Sequence, residues 1–448
     1  MADGKQLRLT TSALSAGHLA WIAMFCSILS WRVGEVRPPA LGDVGNSYRI
    51  MLVLLAAAAA LFGLLRNANR LSQAFPSPLI LLGCYAVLGM ISSLYIPAHS
   101  FYSMWKGFEV MVDVMAIAAV LSSAQPQDSA RIAYKIIVTL FGVLMVLYLV
   151  EALLMPSAAF LPSRGIIPYT IEGVSPVMNG NSLAFLSAVT GFAAWCRLLK
   201  ARSKVGKLVS LLLLMLALVT LILAQSRTSL IGLVTAICVQ LFFDRRFVLL
   251  VLTLGLGAVL ATSTQFTDVA DEYLVRGQSK ELFTSLSGRT QGWEAAWASF
   301  QQSPVIGHGF AAAARAEILG TTGASTLHGA IFDVIVGVGL LGLIPWVAAI
   351  LWTSLRLLRL ARRGHSRWEN ATLNRSARAE MLGVLSLILV RSTTSSGLAM
   401  HEHDFMLFLA VLAFASAALR PLRQRVPAAS SRQSIASTAG NSVSAPMR

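Results

Sequence analysis

The stretch L-V-S-L-L-L-L-M-L-A-L-V-T-L-I-L-A-Q-S-R-T-S-L-I-G-L-V-T-A-I-C-V-Q-L-F-F, residues 208–243, decides the fold. It holds two apolar runs, 206–224 and 228–243, parted by a short turn with one charge, Arg227. Crossing about 30 Å of hydrocarbon takes about 20 apolar residues in a helix. The runs are unbroken, whereas a membrane β-barrel alternates apolar and polar residues in short segments. This is a helical hairpin built for lipid.

Outward from it, runs of the same kind recur at 13–30, 50–65, 77–96, 108–123, 133–155, 181–199, 247–262, 329–355, 380–397 and 404–419. The expected fold is therefore all-α: a polytopic transmembrane bundle of about 12 helices. Composition agrees, since only 12% of the 448 residues are charged and 56% are hydrophobic. Soluble domains carry about 25% charged residues, so soluble enzymes, coiled coils and disordered chains are excluded. The net charge of +16 does not imply nucleic acid, because in a membrane protein the position of each Lys and Arg matters more than the sum. Cys26, Cys84, Cys196 and Cys238 each lie in an apolar run without C-x-x-C spacing and read as small buried residues. The first run follows Lys5 and Arg8 but reaches Trp31-Arg32 without a small-residue cleavage site, so it reads as a retained helix.

Basic residues set the orientation. Alternate connections carry Arg66 and Arg70, then Arg131 and Lys135, then the group from Arg197 to Lys207, then Arg245 and Arg246, then the group from Arg356 to Arg378. The tail opens with Arg420, Arg423 and Arg425. The other connections are poor in Lys and Arg, so the positive-inside rule places both termini in the cytoplasm. Residues 1–420 then form one membrane domain. Residues 421–448, rich in Ser, Ala, Pro and Arg, read as a disordered cytoplasmic tail. The far side holds one long loop, 263–328, polar and without evident helices; a loop of that length is functional or disordered.

Charges at membrane depth are costly and are functional candidates. Glu109, Asp113, Glu151, Arg227, Asp333 and Arg391 qualify. Glu109 and Asp113 share a helix face and require a cation such as Lys106 or Arg391. Arg227 sits in A-Q-S-R-T-S-L on the far side, where a planar guanidinium suits an anionic headgroup; snorkelling at a helix end is the plainer account. The loop adds Arg289 in S-G-R-T-Q-G-W, with Trp293 and Trp297 as interfacial anchors, then the pattern P-V-I-G-H-G-F. His328 opens the next apolar helix and can take a proton near neutral pH. Gly337, Gly339 and Gly342 match G-x-G-x-x-G literally, but no strand precedes them; they read as small residues for helix packing, not a dinucleotide site. His401, Glu402, His403 and Asp404 are consecutive and lack a further ligand set, which favours a polar cluster over a metal site.

Three motifs together resemble the bacterial O-antigen ligase and polysaccharide polymerase superfamily: S-R-T-S-L-I-G-L (226–233), S-G-R-T-Q-G-W…S-P-V-I-G-H-G-F (287–310) and L-H-G-A-I-F-D-V-I-V-G-V-G-L-L-G-L (327–343). The resemblance covers about 178–345 by motif and the rest by topology. It implies a membrane glycosyltransferase of the C type that takes undecaprenyl-diphosphate-linked glycans as donors and needs no metal or other cofactor. Arg227 and Arg289 would hold the donor diphosphate and His328 would be catalytic. Many members follow that histidine with Asn, and here Gly329 follows. Asn179 and Asn181, in V-M-N-G-N-S-L, resemble an asparagine-containing stretch of the family and, with His401, Glu402 and His403, are candidate substrate-binding residues. The resemblance implies a bacterial inner-membrane enzyme with its active face in the periplasm, membrane lipid around it, and a flippase and chain-length regulator of the same pathway as partners. No nucleic acid is implied. Polymerase is the leading reading, ligation of the finished chain to the lipid A core the alternative, and a lipid-linked-glycan flippase a second alternative from another class. Against the flippase, the polar groups gather at one face around a long loop rather than at the midplane.

Overall fold

A computed structural model describes residues 14–29, 44–95, 100–163, 167–275, 289–310, 328–362 and 375–418. Its helices are α1 (Ala16–Ile28), α2 (Val44–Arg66), α3 (Leu71–Ala74), α4 (Ser77–Ile91), α5 (Ser100–Leu121), α6 (Pro126–Leu154), α7 (Pro156–Ala159), α8 (Gly180–Lys200), α9 (Lys204–Leu223), α10 (Arg227–Phe243), α11 (Phe247–Thr262), α12 (Thr264–Val275), α13 (Arg289–Gln302), α14 (Ala330–Arg362), α15 (Arg375–Ser392) and α16 (His403–Ala417). Among the described residues one antiparallel pair of strands, β1 (Phe160–Pro162) with β2 (Tyr169–Ile171), interrupts the helices.

Every apolar run read from the sequence falls on a helix. Among the described residues six helices are long and apolar enough to cross a membrane, and a bent pair, Phe247–Thr262 with Thr267–Tyr273, would make a seventh. α1, α10 and α16 are apolar but shorter. This is a multi-pass membrane protein. No residue of α11 is buried, and Val248, Val251 and Leu252 are exposed on it, as are Leu208 and Leu212 on α9. Such surfaces are costly in water and fit lipid chains. The proposed disordered tail at 421–448 lies outside the described residues, and all four cysteines are free.

Contacts sort the helix ends into two groups. At one end the start of α15 meets the ends of α8, α10 and α14: Lys200 pairs with Glu380 at 2.7 Å, Arg375 donates to Phe243 O at 3.0 Å, and Arg378 donates to Leu360 O at 2.6 Å. This is the Lys- and Arg-rich end. At the opposite end the last turn of α15 meets the first turns of α8, α10 and α16, and every candidate site residue lies there.

Two expectations change. The long loop is not helix-free, since α12 and α13 occupy part of it. And α14 is two helices joined at Gly339, whose backbone (φ 59°, ψ −158°) is non-helical. A break inside a membrane helix leaves N–H and C=O groups that lipid cannot satisfy. Here the P-V-I-G-H-G-F segment fills it. Leu340 and Leu341 donate to Pro304 O and Val305 O at 2.9 and 3.1 Å, while His308 and Gly309 donate to Val336 O and Gly337 O at 2.7 and 2.8 Å. Glycine is required on both strands of this crossing: Gly307 (φ 68°) and Gly339 lie backbone to backbone, so a Cβ at either would strike the other chain. The literal G-x-G-x-x-G thus marks a backbone crossing.

Candidate functional site

The turn carrying Arg227 is held by the residue two places before it. Gln225 adopts φ 52°, and its amide donates to Ile167 O and Tyr169 O at 3.1 and 2.9 Å while its oxygen accepts from Ser163 at 3.0 Å. That side chain staples the β hairpin to the turn. The hairpin is tied at its other end by Glu151, whose carboxylate accepts from Val174 N and Ser175 N at 2.9 and 3.1 Å, which is how this membrane-depth charge is used. On the opposite flank Tyr273 of α12 donates to Ile222 O at 3.3 Å, laying α12 beside the same turn. Arg227 then starts α10, where the first-turn N–H groups and helix dipole favour an anion.

Arg289 starts α13, which packs through Ala296 and Phe300 on Ile335 and Val336 of α14. Burial, and after it the like charges of Arg227 and Arg391, push the Arg289 pKa down from its ordinary value. The two arginines singled out by sequence therefore share one electrostatic environment, although 61 positions separate them. A guanidinium stays protonated regardless, so the mutual repulsion is relieved by an anion, not by proton loss.

His328 stands at the start of α14 with φ 51°. A non-glycine residue there carries a backbone cost of about 1–3 kcal/mol, and such strain clusters at functional sites. Its carbonyl accepts from Trp293 Nε1 at 3.3 Å, and Trp293 lies one turn after Arg289 on α13. Trp293 stacks on Phe332 with ring centroids 5.4 Å apart and 15° between planes. Trp293 is thus a packing residue rather than the interfacial anchor the sequence suggests; Trp297, 51% exposed, keeps the surface position. Gly329 is buried in this joint. A Cβ there would come within 3.1 Å of Phe332, 3.3 Å of Trp293 Nε1 and 3.5 Å of Thr393 O, which accounts for Gly at this position.

Of the two cations the sequence offers to Glu109 and Asp113, Lys106 takes that place and Arg391 does not. Arg391 pairs with Asp404 at 3.0 Å, donates to Asn181 O at 2.6 Å, and lies 4.6 Å over the Phe185 ring. Glu109 is held by Arg49 through two bonds of 2.6 and 2.8 Å and by Lys106 at 3.0 Å, as anticipated for Lys106. Asp113 is bonded by His401 at 2.7 Å, and the other His401 nitrogen meets Ser27 at 2.9 Å. The signal for Arg391 is in the sequence, a lone Arg ending an apolar run, but its partner 13 residues on is a contact across two helix ends that no spacing rule reports.

The remaining candidates line a cavity of about 270 Å³ beside this cluster, with Asn179, His401, Glu402 and His403 in its wall together with Arg49 and Lys106. Asn179 caps α8, its side-chain oxygen accepting from Ser182 N at 2.9 Å. Asn181 contributes its carbonyl to Arg391. His403 is packed against Phe25 and Phe141, with ring centroids 5.8 Å away in each case. Of the consecutive His401-Glu402-His403-Asp404, His401 and Asp404 are thus occupied by Asp113 and Arg391.

Comparison with curated proteins finds no match to the chain. A family model described as O-antigen ligase matches residues 211–347, a stretch that contains Arg227, Arg289 and His328. The resemblance carried by the three motifs is borne out there, and this match points to a membrane glycosyltransferase of the O-antigen ligase and polymerase type.

Proposed function

We propose that the protein is a polysaccharide polymerase that joins undecaprenyl-diphosphate-linked repeat units at the periplasmic face of the bacterial inner membrane. The observation that carries this reading is the gathering of Arg227, Arg289 and Arg391 at one end of the bundle, in the family-matched region and its neighbour α15, next to the joint that holds His328. Glycosyl transfer from such a donor breaks the bond between the anomeric carbon and the diphosphate oxygen. The leaving group gains negative charge as that bond breaks, and prepositioned guanidiniums stabilise it more in the transition state than in the ground state. The acceptor hydroxyl attacks the anomeric carbon from the opposite side, and His328 accepts its proton, help worth about 10²–10⁴ in rate. Arg391 is a third cation of the cluster, its direction fixed by Asp404 and Asn181.

The Lys- and Arg-rich connections at the end opposite the site support cytoplasmic termini and a periplasmic active face. Gly329, in place of the Asn that many members carry, supports polymerase over ligase. The ligase is retained as the second reading because the matched model bears that description. A deletion strain analysed for surface polysaccharide and lipid-linked intermediates separates them. Loss of long chains with single repeat units persisting means polymerase; long chains accumulating on undecaprenyl diphosphate, with none on lipid A, means ligase. An unaltered profile of both pools refutes the assignment.

A further inference from the structure

The cavity beside the arginine cluster has no part in holding the diphosphate, and its wall is chemically unlike that cluster. Two cations face it, Arg49 and Lys106, but both are tied to the carboxylate of Glu109 buried behind the wall, and Glu402 supplies a carboxylate in the wall itself. The charges cancel, which argues against a phosphate. What the wall presents is a mixture: ammonium and guanidinium donors, the Glu402 carboxylate as acceptor, the amide of Asn179, and the ring of Tyr102. His403 is 9% exposed, and its Nε2 has no hydrogen-bond partner among the described residues. Mixed donors and acceptors beside one aromatic face suit a polyol ring whose every hydroxyl both donates and accepts. At about 270 Å³ the space falls below the roughly 300–1,000 Å³ of drug-sized sites, room for one ring rather than a whole repeat unit.

The cavity adjoins the Arg391 contacts through the chain: Asp404 follows the cavity residue His403, and Asn181, whose carbonyl Arg391 holds, lies two places from the cavity residue Asn179. The donor's first sugar is bonded directly to the diphosphate and lies with the arginines, which leaves the neighbouring cavity for a ring of the acceptor. We infer that the cavity binds one uncharged pyranose ring of the acceptor glycan; the word acceptor rests on the glycosyl-transfer reading above, and the sugar site itself does not.

The test measures binding without turnover, on the purified full chain in detergent micelles. The probes are the methyl pyranosides of glucose, galactose, mannose and N-acetylglucosamine, read by saturation-transfer NMR, with inorganic pyrophosphate as competitor. Asn179→Asp keeps the helix cap, because Asp caps as well as Asn, while removing the amide donors. The expected result is that at least one glycoside binds, that Asn179→Asp and Glu402→Gln each weaken it by about fivefold or more, and that pyrophosphate and Arg289→Ala change it less than twofold. Absence of binding by all four glycosides overturns the inference, as does competition by pyrophosphate or loss of binding in Arg289→Ala. Glycoside binding with no polymer formed by wild type would instead refute the proposed function and leave a sugar site standing.

Discussion

Replacing Gly339 with Ala tests the joint on which the position of Arg289 depends. Gly339 has φ 59° and ψ −158°, a region that side-chain-bearing residues enter at a cost of about 1–3 kcal/mol. A Cβ there also runs into the Val305 carbonyl and lies 2.8 Å from Gly307 N, so the two backbones must part. The bonds nearest the collision are Leu340 to Pro304 at 2.9 Å and Leu341 to Val305 at 3.1 Å. Each, if left unmade at depth, costs about 1–3 kcal/mol. Taking the lower end of each of the three ranges, Gly339→Ala destabilises by about 3 kcal/mol. The assay is denaturant unfolding in mixed micelles, with Gly257→Ala as control: that residue lies on α11, where an added Cβ meets nothing within 4 Å. In a helix that change is neutral or stabilising by up to about 1 kcal/mol. If Gly339→Ala unfolds within about 0.5 kcal/mol of wild type, a margin small beside these costs, the crossing is refuted and the placement of α13 loses its support.

Other expectations follow from the same geometry. Arg289→Ala and His328→Ala abolish polymer while the protein stays in the membrane, and Arg289→Lys restores little, because an ammonium cannot reproduce paired guanidinium contacts to phosphate; normal chain length and yield in a complemented deletion strain would exclude these roles. Gln225→Ala removes three hydrogen bonds from the turn before Arg227, costs about 2–3 kcal/mol in the same unfolding assay, and raises the donor KM more than it lowers kcat. Asp404→Asn leaves Arg391 buried with its charge unbalanced and destabilises by about 3–5 kcal/mol. The double change Arg391→Met with Asp404→Leu recovers most of that stability yet not the activity; recovery of both would make the pair structural only.

The helices are legible because each apolar run makes its own case. Residues 206–224 are apolar whatever they pack against, and lipid rewards that directly. The same logic fails wherever a backbone group, not a side chain, carries the interaction. P-V-I-G-H-G-F is visible as a motif, but its partner at Val336–Leu341 is found through carbonyls and amides, which all residues share. The three glycines at 337, 339 and 342 give a partial signal, read as helix-to-helix contact when the approaching segment is in fact a turn after α13. Helices in the long loop escape notice for a related reason: α13 contains Gly292 and several polar residues, and it packs on α14 through little more than Ala296, Phe300 and the Trp293 ring.

Arg391 shows where charge reasoning within one sequence runs out. A buried cation demands a carboxylate, and the sequence offers Glu109, Asp113, Glu151, Asp333 and Asp404. The first two are the more conspicuous, because they share a helix face, yet each is served locally or by an element the sequence makes unremarkable: Arg49 at the start of α2, and His401 in the turn before α16. Asp404 is the acid that meets Arg391, and the pairing bolts the end of α15 to the starts of α8 and α16. The consequence is functional. On the proposed reading, the bolt that closes the bundle end lies beside both the Arg289 environment and the cavity residues His403 and Asn179, so the residue that fixes the fold there would also set the spacing of donor and acceptor.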